Sequence, residues 1–428
     1  MNIRLILIST FLFNLNAMGQ DAPNCNTAAM QYTNAFEWEE REMCMDPYKT
    51  ICENDSTNEN FQKRSLAYTY HIAQEAGDNI YQANKAILNS KGVTEINMFN
   101  YNKILKQYES ACINDKNIEC RSDKVEFSRD MPDLYEMEIE EQVTEEFYRL
   151  MDQSLDSKID HLHTAFQLQQ ERLIEIAKQE LKGKLSPVEI EETVYQLRVT
   201  KGVFSTSDKS MNLNFPFLTT REQQQIKDEF RMFCYDNLKP VHNAAFMTAR
   251  FRSQQYNITF YCPSDYIGGL EDADTLNSVY RSLAFLVGHE LGHQISMRIK
   301  NLGVFDQFNK CMKNNFAVGE ILGHHHNYHN EAQADFWGKK LVGEILKDLK
   351  DLPVEERILF IKETATILCG APDDMIHHAS EHRLNLALRL TPEFRNAFRC
   401  SRYSDQMRLQ KPINCQLDGE HYIMIPEL

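Results

Sequence analysis

The chain has 428 residues and a formal charge of −16, from 62 acidic against 46 basic side chains. That length admits two ordinary domains, and an acidic balance without clustered Lys and Arg argues against a nucleic-acid partner. Hydrophobic residues make up 42% and Gly and Pro are few. The composition is therefore that of a globular chain with no apolar run long enough for a stable membrane span.

At the N-terminus, Arg4 precedes the apolar run Leu5 to Phe13, and Ala17-Met18-Gly19 offers small residues for cleavage. This pattern predicts a cleaved signal peptide over residues 1–19 and a secreted or periplasmic product. Export changes the reading of the eleven cysteines. In an oxidising compartment most should pair, and the odd count leaves one over. No Cys-x-x-Cys occurs, which removes a zinc ribbon from consideration.

After an N-terminal segment over 20–60, residues 61–240 are expected to form a helical domain, reading as almost wholly helical from Phe61 to Tyr235. Val143, Phe147, Leu150, Leu155, Ile159, Leu162, Phe166, Leu173 and Ile176 recur at three- and four-residue spacing and predict a long bundle helix ended by Gly183. Ser186-Pro187-Val188-Glu189 supplies an N-cap, a proline at the first helical position and a capping-box glutamate. Thr220-Arg221-Glu222-Gln223 reads as a second capping box, opening a helix that should stop near Lys239-Pro240.

Beyond residue 240 the character changes, and residues 241–428 are expected to form a second, catalytic domain. Asn257 to Tyr261 is short and β-prone, and helical patterns follow at about Leu276–Lys300, Tyr328–Leu349 and Pro353–Leu368. The run His324-His325-His326, with His329 nearby, reads as an exposed loop with incidental metal affinity.

His289-Glu290-Leu291-Gly292-His293 lies within the first of these helices. Four-residue spacing puts both imidazoles on one face, close enough to share one zinc ion, with Glu290 between them as a general base. On the next helix Glu331 and Asp335 stand one turn apart. Glu331 supplies the third protein ligand that catalytic zinc needs, and Asp335 can accept the free ring N–H of a zinc-bound histidine. One Zn2+ ion is the expected cofactor.

With both motifs placed, the C-terminal third resembles the neprilysin family of zinc endopeptidases, a gluzincin family. His377 and Arg383 keep the family's six-residue spacing. Pro392-Glu393-Phe394, Ala397-Phe398-Arg399-Cys400, Met407 and Cys415 match its C-terminal segments, and Cys44 to Cys52 resembles its N-terminal cysteine pair. The resemblance implies a mostly α, α+β fold, with a thermolysin-like catalytic lobe, a small antiparallel sheet and an N-terminal helical domain. It further implies the disulfides Cys44–Cys400, Cys52–Cys369 and Cys311–Cys415. By the same resemblance His377 donates to the developing oxyanion, Arg383 holds a substrate carbonyl or carboxylate, and Thr248-Ala249 begins the substrate-binding edge strand. Cys112 and Cys120, eight apart, are a candidate local bridge, and Cys234–Cys262 is the weakest pairing.

The chain also departs from the family. The helical region is much shorter than the family's roofing domain, which implies a more open cleft. Thr248 replaces the family's asparagine, and Gln294-Ile295-Ser296 replaces its Gly-Phe-Asp.

The function expected is a secreted zinc endopeptidase acting on oligopeptides or accessible protein segments. Its rival is a zinc-containing binding or scaffold protein with little peptidase activity, against which the intact Glu290 stands, since a structural zinc site gains nothing from a general base.

Overall fold

The computed structural model describes residues 40–53, 56–90, 137–236, 239–240, 244–251, 254–263, 276–315, 325–365, 368–369, 382–388, 391–403 and 413–422. The expected signal peptide, Cys25, Cys112, Cys120, His324, His377 and Met407 lie outside these residues. Among the described residues the protein is mostly helical with a small three-stranded sheet, in agreement with the α+β expectation.

Before the sheet stand α1 (Ser56–Ser90), α2 (Met137–Leu155), α3 (Ile159–Leu181) and α4 (Pro187–Val199). The long helix read from the 143–176 periodicity is thus two helices, parted at 156–158. Leu155 and Ile159 both remain buried, so the apolar rhythm runs through the break and conceals it from a periodicity argument. Gly183, at φ 79°, lies just past the end of α3. Helix α4 opens with the expected capping box at Ser186 and Glu189.

The region before residue 240 is less uniformly helical than expected. β1 (Lys201–Val203) interrupts it, followed by α5 (Asp208–Asn214) and α6 (Thr220–Cys234). The capping residue of α6 is Thr219, whose hydroxyl accepts from the Glu222 backbone N–H, so the box sits one residue before the expected Thr220. α6 also ends at Cys234 rather than near Pro240, because Tyr235–Asp236 (β2) turns extended and pairs with Lys239–Pro240 (β3).

β4 (Ala244–Phe251) and β5 (Gln254–Tyr261) form a hairpin with Thr248 opposite Asn257. The sheet order is β1-β5-β4, and β1 runs parallel to β5. The sheet is therefore mixed rather than antiparallel. Residues 204–253, which carry α5, α6 and β4, separate β1 from β5 and give a crossover long enough for parallel pairing.

α7 (Leu276–Ile299), α8 (Asp306–Asn315), α9 (His325–Asp348), α10 (Val354–Ala365) and α11 (Pro392–Ala397) follow, with a β6–β7 hairpin (Ile413–Gln416 and Gly419–Tyr422). α9 begins at His325, so His325, His326 and His329 belong to its first turns rather than to a loop.

One buried apolar cluster runs from Met43 to Leu417 across residue 240. α3 packs on both α7 and α9, and Lys340 pairs with Glu180 at 2.7 Å across that contact. Four disulfides are present among the described residues: Cys44–Cys400, Cys52–Cys369, Cys234–Cys262 and Cys311–Cys415. All four match the pairings set out above and fit an oxidising compartment. No described helix is long and apolar enough to cross a membrane.

Candidate metal centre

The centre is built on the contact between α7 and α9. Two helices normally pack 8–10 Å apart, and small residues at the crossing permit the lower end of that range. Here Gly288 faces Gly338 so closely that a β-carbon on Gly288 would lie 2.8 Å from the Gly338 Cα. One turn further along, a β-carbon on Gly292 would lie 2.9 Å from both the Ala334 carbonyl oxygen and Trp337 Cβ. The four-residue spacing of Gly288 and Gly292, matched by Ala334 and Gly338, was legible in the sequence as a close-approach signal. Reading the histidines alone passes over it.

This approach brings Glu331 opposite the two histidines. His289 Nε2 lies 3.2 Å from Glu331 Oε2 and 3.2 Å from His293 Nε2, and His293 Nε2 lies 3.4 Å from Glu331 Oε2. The three atoms form a nearly equilateral triangle that can hold a metal ion. A charge-assisted N–H···O⁻ bond would close to about 2.7–2.9 Å. Donors about 2.0–2.1 Å from a tetrahedral cation stand roughly 3.3–3.4 Å apart, which is the spacing found.

His289 is buried, and its Nδ1 donates to Asp335 Oδ1 at 2.8 Å. That bond fixes the tautomer of the neutral ring and turns the Nε2 lone pair into the triangle. Burial works against a charge on His289, but Asp335, Glu331 and Glu290 outweigh it and push its pKa up to about 10 on protein charges alone. A cation entering the triangle must therefore displace a proton from this ring.

Asp335 is itself held by Arg383, whose Nε donates to Oδ2 at 2.8 Å and whose terminal nitrogen donates to Oδ1 at 2.6 Å. Burial raises the Asp335 pKa, yet the Arg383 guanidinium and the His289 ring together keep it well below the usual carboxylate range. The Phe285 ring stacks on His289 with centroids 6.0 Å apart and lies 5.6 Å below the Arg383 guanidinium carbon. Arg383, His289 and Asp335 are thus one packed, hydrogen-bonded unit. The resemblance gave Arg383 a substrate-side role; within the chain it pairs with Asp335.

Glu290 is buried beside the triangle, with Oε1 3.8 Å from His289 Nε2. Tyr261 at the end of β5 is fully buried, and its phenol is raised well above its ordinary pKa by burial and by the Glu290 charge. Tyr261 therefore stays neutral at the back of the site. It was not among the expected site residues, because an aromatic ending a β-strand reads only as core. Lys339, one turn beyond Asp335, is likewise buried, and desolvation lowers its pKa to about 8 against the opposing pull of Asp335.

β4 starts at Ala244, so Thr248 stands within the strand rather than at its beginning; it is exposed, its Oγ1 3.5 Å from Asn257 Oδ1, and Ala249 is half-buried next to it. α7 packs against β4, so this strand flanks the metal helix. Gln294, a departure from the family pattern, is buried; its Nε2 donates to the Gln196 carbonyl at 3.0 Å and its Oε1 accepts from Thr200 Oγ1. It fastens the helix just after His293 to the end of α4.

The N-terminal segment braces the other side. Asn385, two residues past Arg383, donates to Asp46 Oδ1 at 2.9 Å and accepts from the Tyr48 N–H at 3.0 Å. Cys44–Cys400 and Cys52–Cys369 hold that segment in place. No protein-family model and no curated protein matches this chain.

Proposed function

We propose that the chain is a secreted, zinc-dependent endopeptidase. The observation that carries this reading is the triangle of two neutral-capable imidazoles and one carboxylate beside the buried carboxylate of Glu290. Two nitrogens and one oxygen at tetrahedral spacing fit zinc, and three protein ligands leave a fourth position open, as catalytic rather than structural sites do. Bound zinc supplies Lewis acidity and brings the pKa of a water it holds toward neutrality.

The chain's own residues supply the remaining steps. Glu290 accepts the proton of the attacking water and delivers it to the leaving amine. Asp335, clamped by Arg383, keeps the His289 ring oriented and its Nδ1 protonated. The exposed edge of β4 at Thr248-Ala249 can take an extended peptide by main-chain hydrogen bonding. The resemblance assigns the oxyanion donor to His377, a contact typically contributing about 3 kcal/mol.

The test is hydrolysis of a quenched peptide library. Wild-type protein is expected to cleave and to lose activity with chelator, and Glu290→Gln is expected to retain zinc while losing activity. A wild-type protein that holds zinc stoichiometrically and cleaves no peptide would sink the reading and make the site structural.

A further inference from the structure

A groove of about 920 Å³ is bounded by α4, residues 213–218, the β4–β5 hairpin and the end of the helix that carries His289 and His293. That volume is at the upper end for ligand sites and leaves room for more than one side chain. Its connection to the centre is set by helix geometry. Met297 follows His289 and His293 at four-residue spacing on the same face of α7, so it lies about 6 Å along the helix beyond the second histidine. Met297 lines the groove and is 60% exposed. Thr248 of the exposed β4 edge lines it too.

Two properties mark this groove. Its rim carries large apolar side chains left in solvent, with Phe217 89% and Tyr195 57% exposed. Its lining holds Arg198, Lys201 and Arg298 and not one Asp or Glu, on a chain of net charge −16. Arg298 bonds Glu192 at 2.8 Å, whereas no ion pair engages Arg198 or Lys201 among the described residues. A cationic, apolar-rimmed concavity on an acidic protein focuses attraction on anionic ligands.

We propose that this groove is an accessory subsite for the peptide substrate, and that it selects segments bearing an acidic residue next to a large apolar one. The proposal rests on the peptidase reading. A substrate segment that leaves the β4 edge past Thr248 and enters the groove would carry its apolar side chain onto Met297 and Phe217 and its carboxylate toward Arg198, with Lys201 of β1 at the far wall. With Met297 one helical turn from His293 and an extended residue spanning about 3.3 Å, the acidic residue sits at least about two residues from the cleaved bond.

The test uses full-length Glu290→Gln protein with zinc bound and two fluorescein-labelled decapeptides differing only by Glu or Gln at the selected positions, with binding read by anisotropy. The Glu peptide is expected to bind about fivefold tighter, the effect of two partly exposed ion pairs. The preference should shrink at high salt and vanish in Arg198→Gln/Lys201→Gln. Arg198→Glu/Lys201→Glu should reverse it, and zinc content with unfolding temperature would establish that both variants fold. Equal binding of the two peptides, or an unchanged preference in the folded double variants, would overturn the proposal. Wild-type hydrolysis separates the two ideas: equal cleavage of the Glu and Gln peptides overturns the groove's role alone, whereas no cleavage of this pair or of the peptide library by zinc-loaded protein overturns the peptidase reading on which it rests.

Discussion

Gly288→Ala is the most direct probe of how the metal centre is assembled. The new β-carbon would stand 2.8 Å from the Gly338 Cα, 3.1 Å from Leu341 Cβ and 3.2 Å from Leu341 Cδ2. Carbon atoms in contact prefer about 3.5–4.0 Å, and the nearest of these is backbone, which cannot swing aside. α7 and α9 must therefore separate by roughly 1 Å. Glu331 travels with α9, so its 3.2 and 3.4 Å distances to the histidines lengthen toward values that a single ion cannot span. Metal binding must then draw the helices back against overpacking worth about 1–3 kcal/mol. The zinc dissociation constant should rise roughly 5- to 150-fold. Competition with a calibrated chelator measures that constant, and unfolding in excess chelator measures the strain left in the metal-free chain. Gly343→Ala is the control, since the three atoms nearest its β-carbon, at 3.2–3.4 Å, all belong to the side chain of Glu393 rather than to backbone. Wild-type zinc affinity in Gly288→Ala, with unchanged stability, would refute the claim that this close approach sets the ligand triangle.

Asp335→Asn removes the charged acceptor for His289 and leaves the buried Arg383 without its counterion; metal affinity should fall about 10- to 100-fold and stability by about 3–5 kcal/mol, read by chelator competition and urea unfolding. Cys44→Ser/Cys400→Ser removes a bridge that, with Cys52–Cys369 still closed, shuts a loop of only roughly 40 residues despite the 356-residue separation of its partners; it should destabilise by about 4 kcal/mol in the chain-entropy model, measured by the same unfolding titration. Glu363 gives a pH signature: burial, against the pull of Arg281, raises its pKa from 4.5 to about 7. The folded state then holds more protons than the unfolded state between these values, so stability from this group falls as pH rises through that window. Glu363→Gln should accordingly be stabilising by about 2 kcal/mol at pH 8 and neutral at pH 4, and a melting-temperature gain that does not depend on pH would contradict this assignment.

Much of the centre is legible before any fold is known, because its parts are local. Four-residue spacing puts His289 and His293 on one face of any helix, and one turn separates Glu331 from Asp335 in the same way. Three of the cysteine pairings were legible only through the family resemblance, and Cys234–Cys262 only as a weak pairing of leftover cysteines. Nothing in the spacing of Cys44 and Cys400 requires them to meet, and the structure brings their Cα atoms to 5.3 Å. Local signals failed where two readings shared one pattern: the apolar rhythm across Leu155 and Ile159 hid a break, and the three-residue β1 was too short to register between helices.

The sequence by itself determined the ligand types, the helices that carry them and the presence of Glu290 between the histidines. Only the tertiary structure decided that Glu331 closes a triangle of 3.2–3.4 Å edges, that Arg383 locks Asp335, and that Met297 lines a groove with Arg198 and Lys201. The physical reason is that helical periodicity fixes relations within a few turns, whereas the distance between helices depends on which side chains are small enough to let their backbones meet.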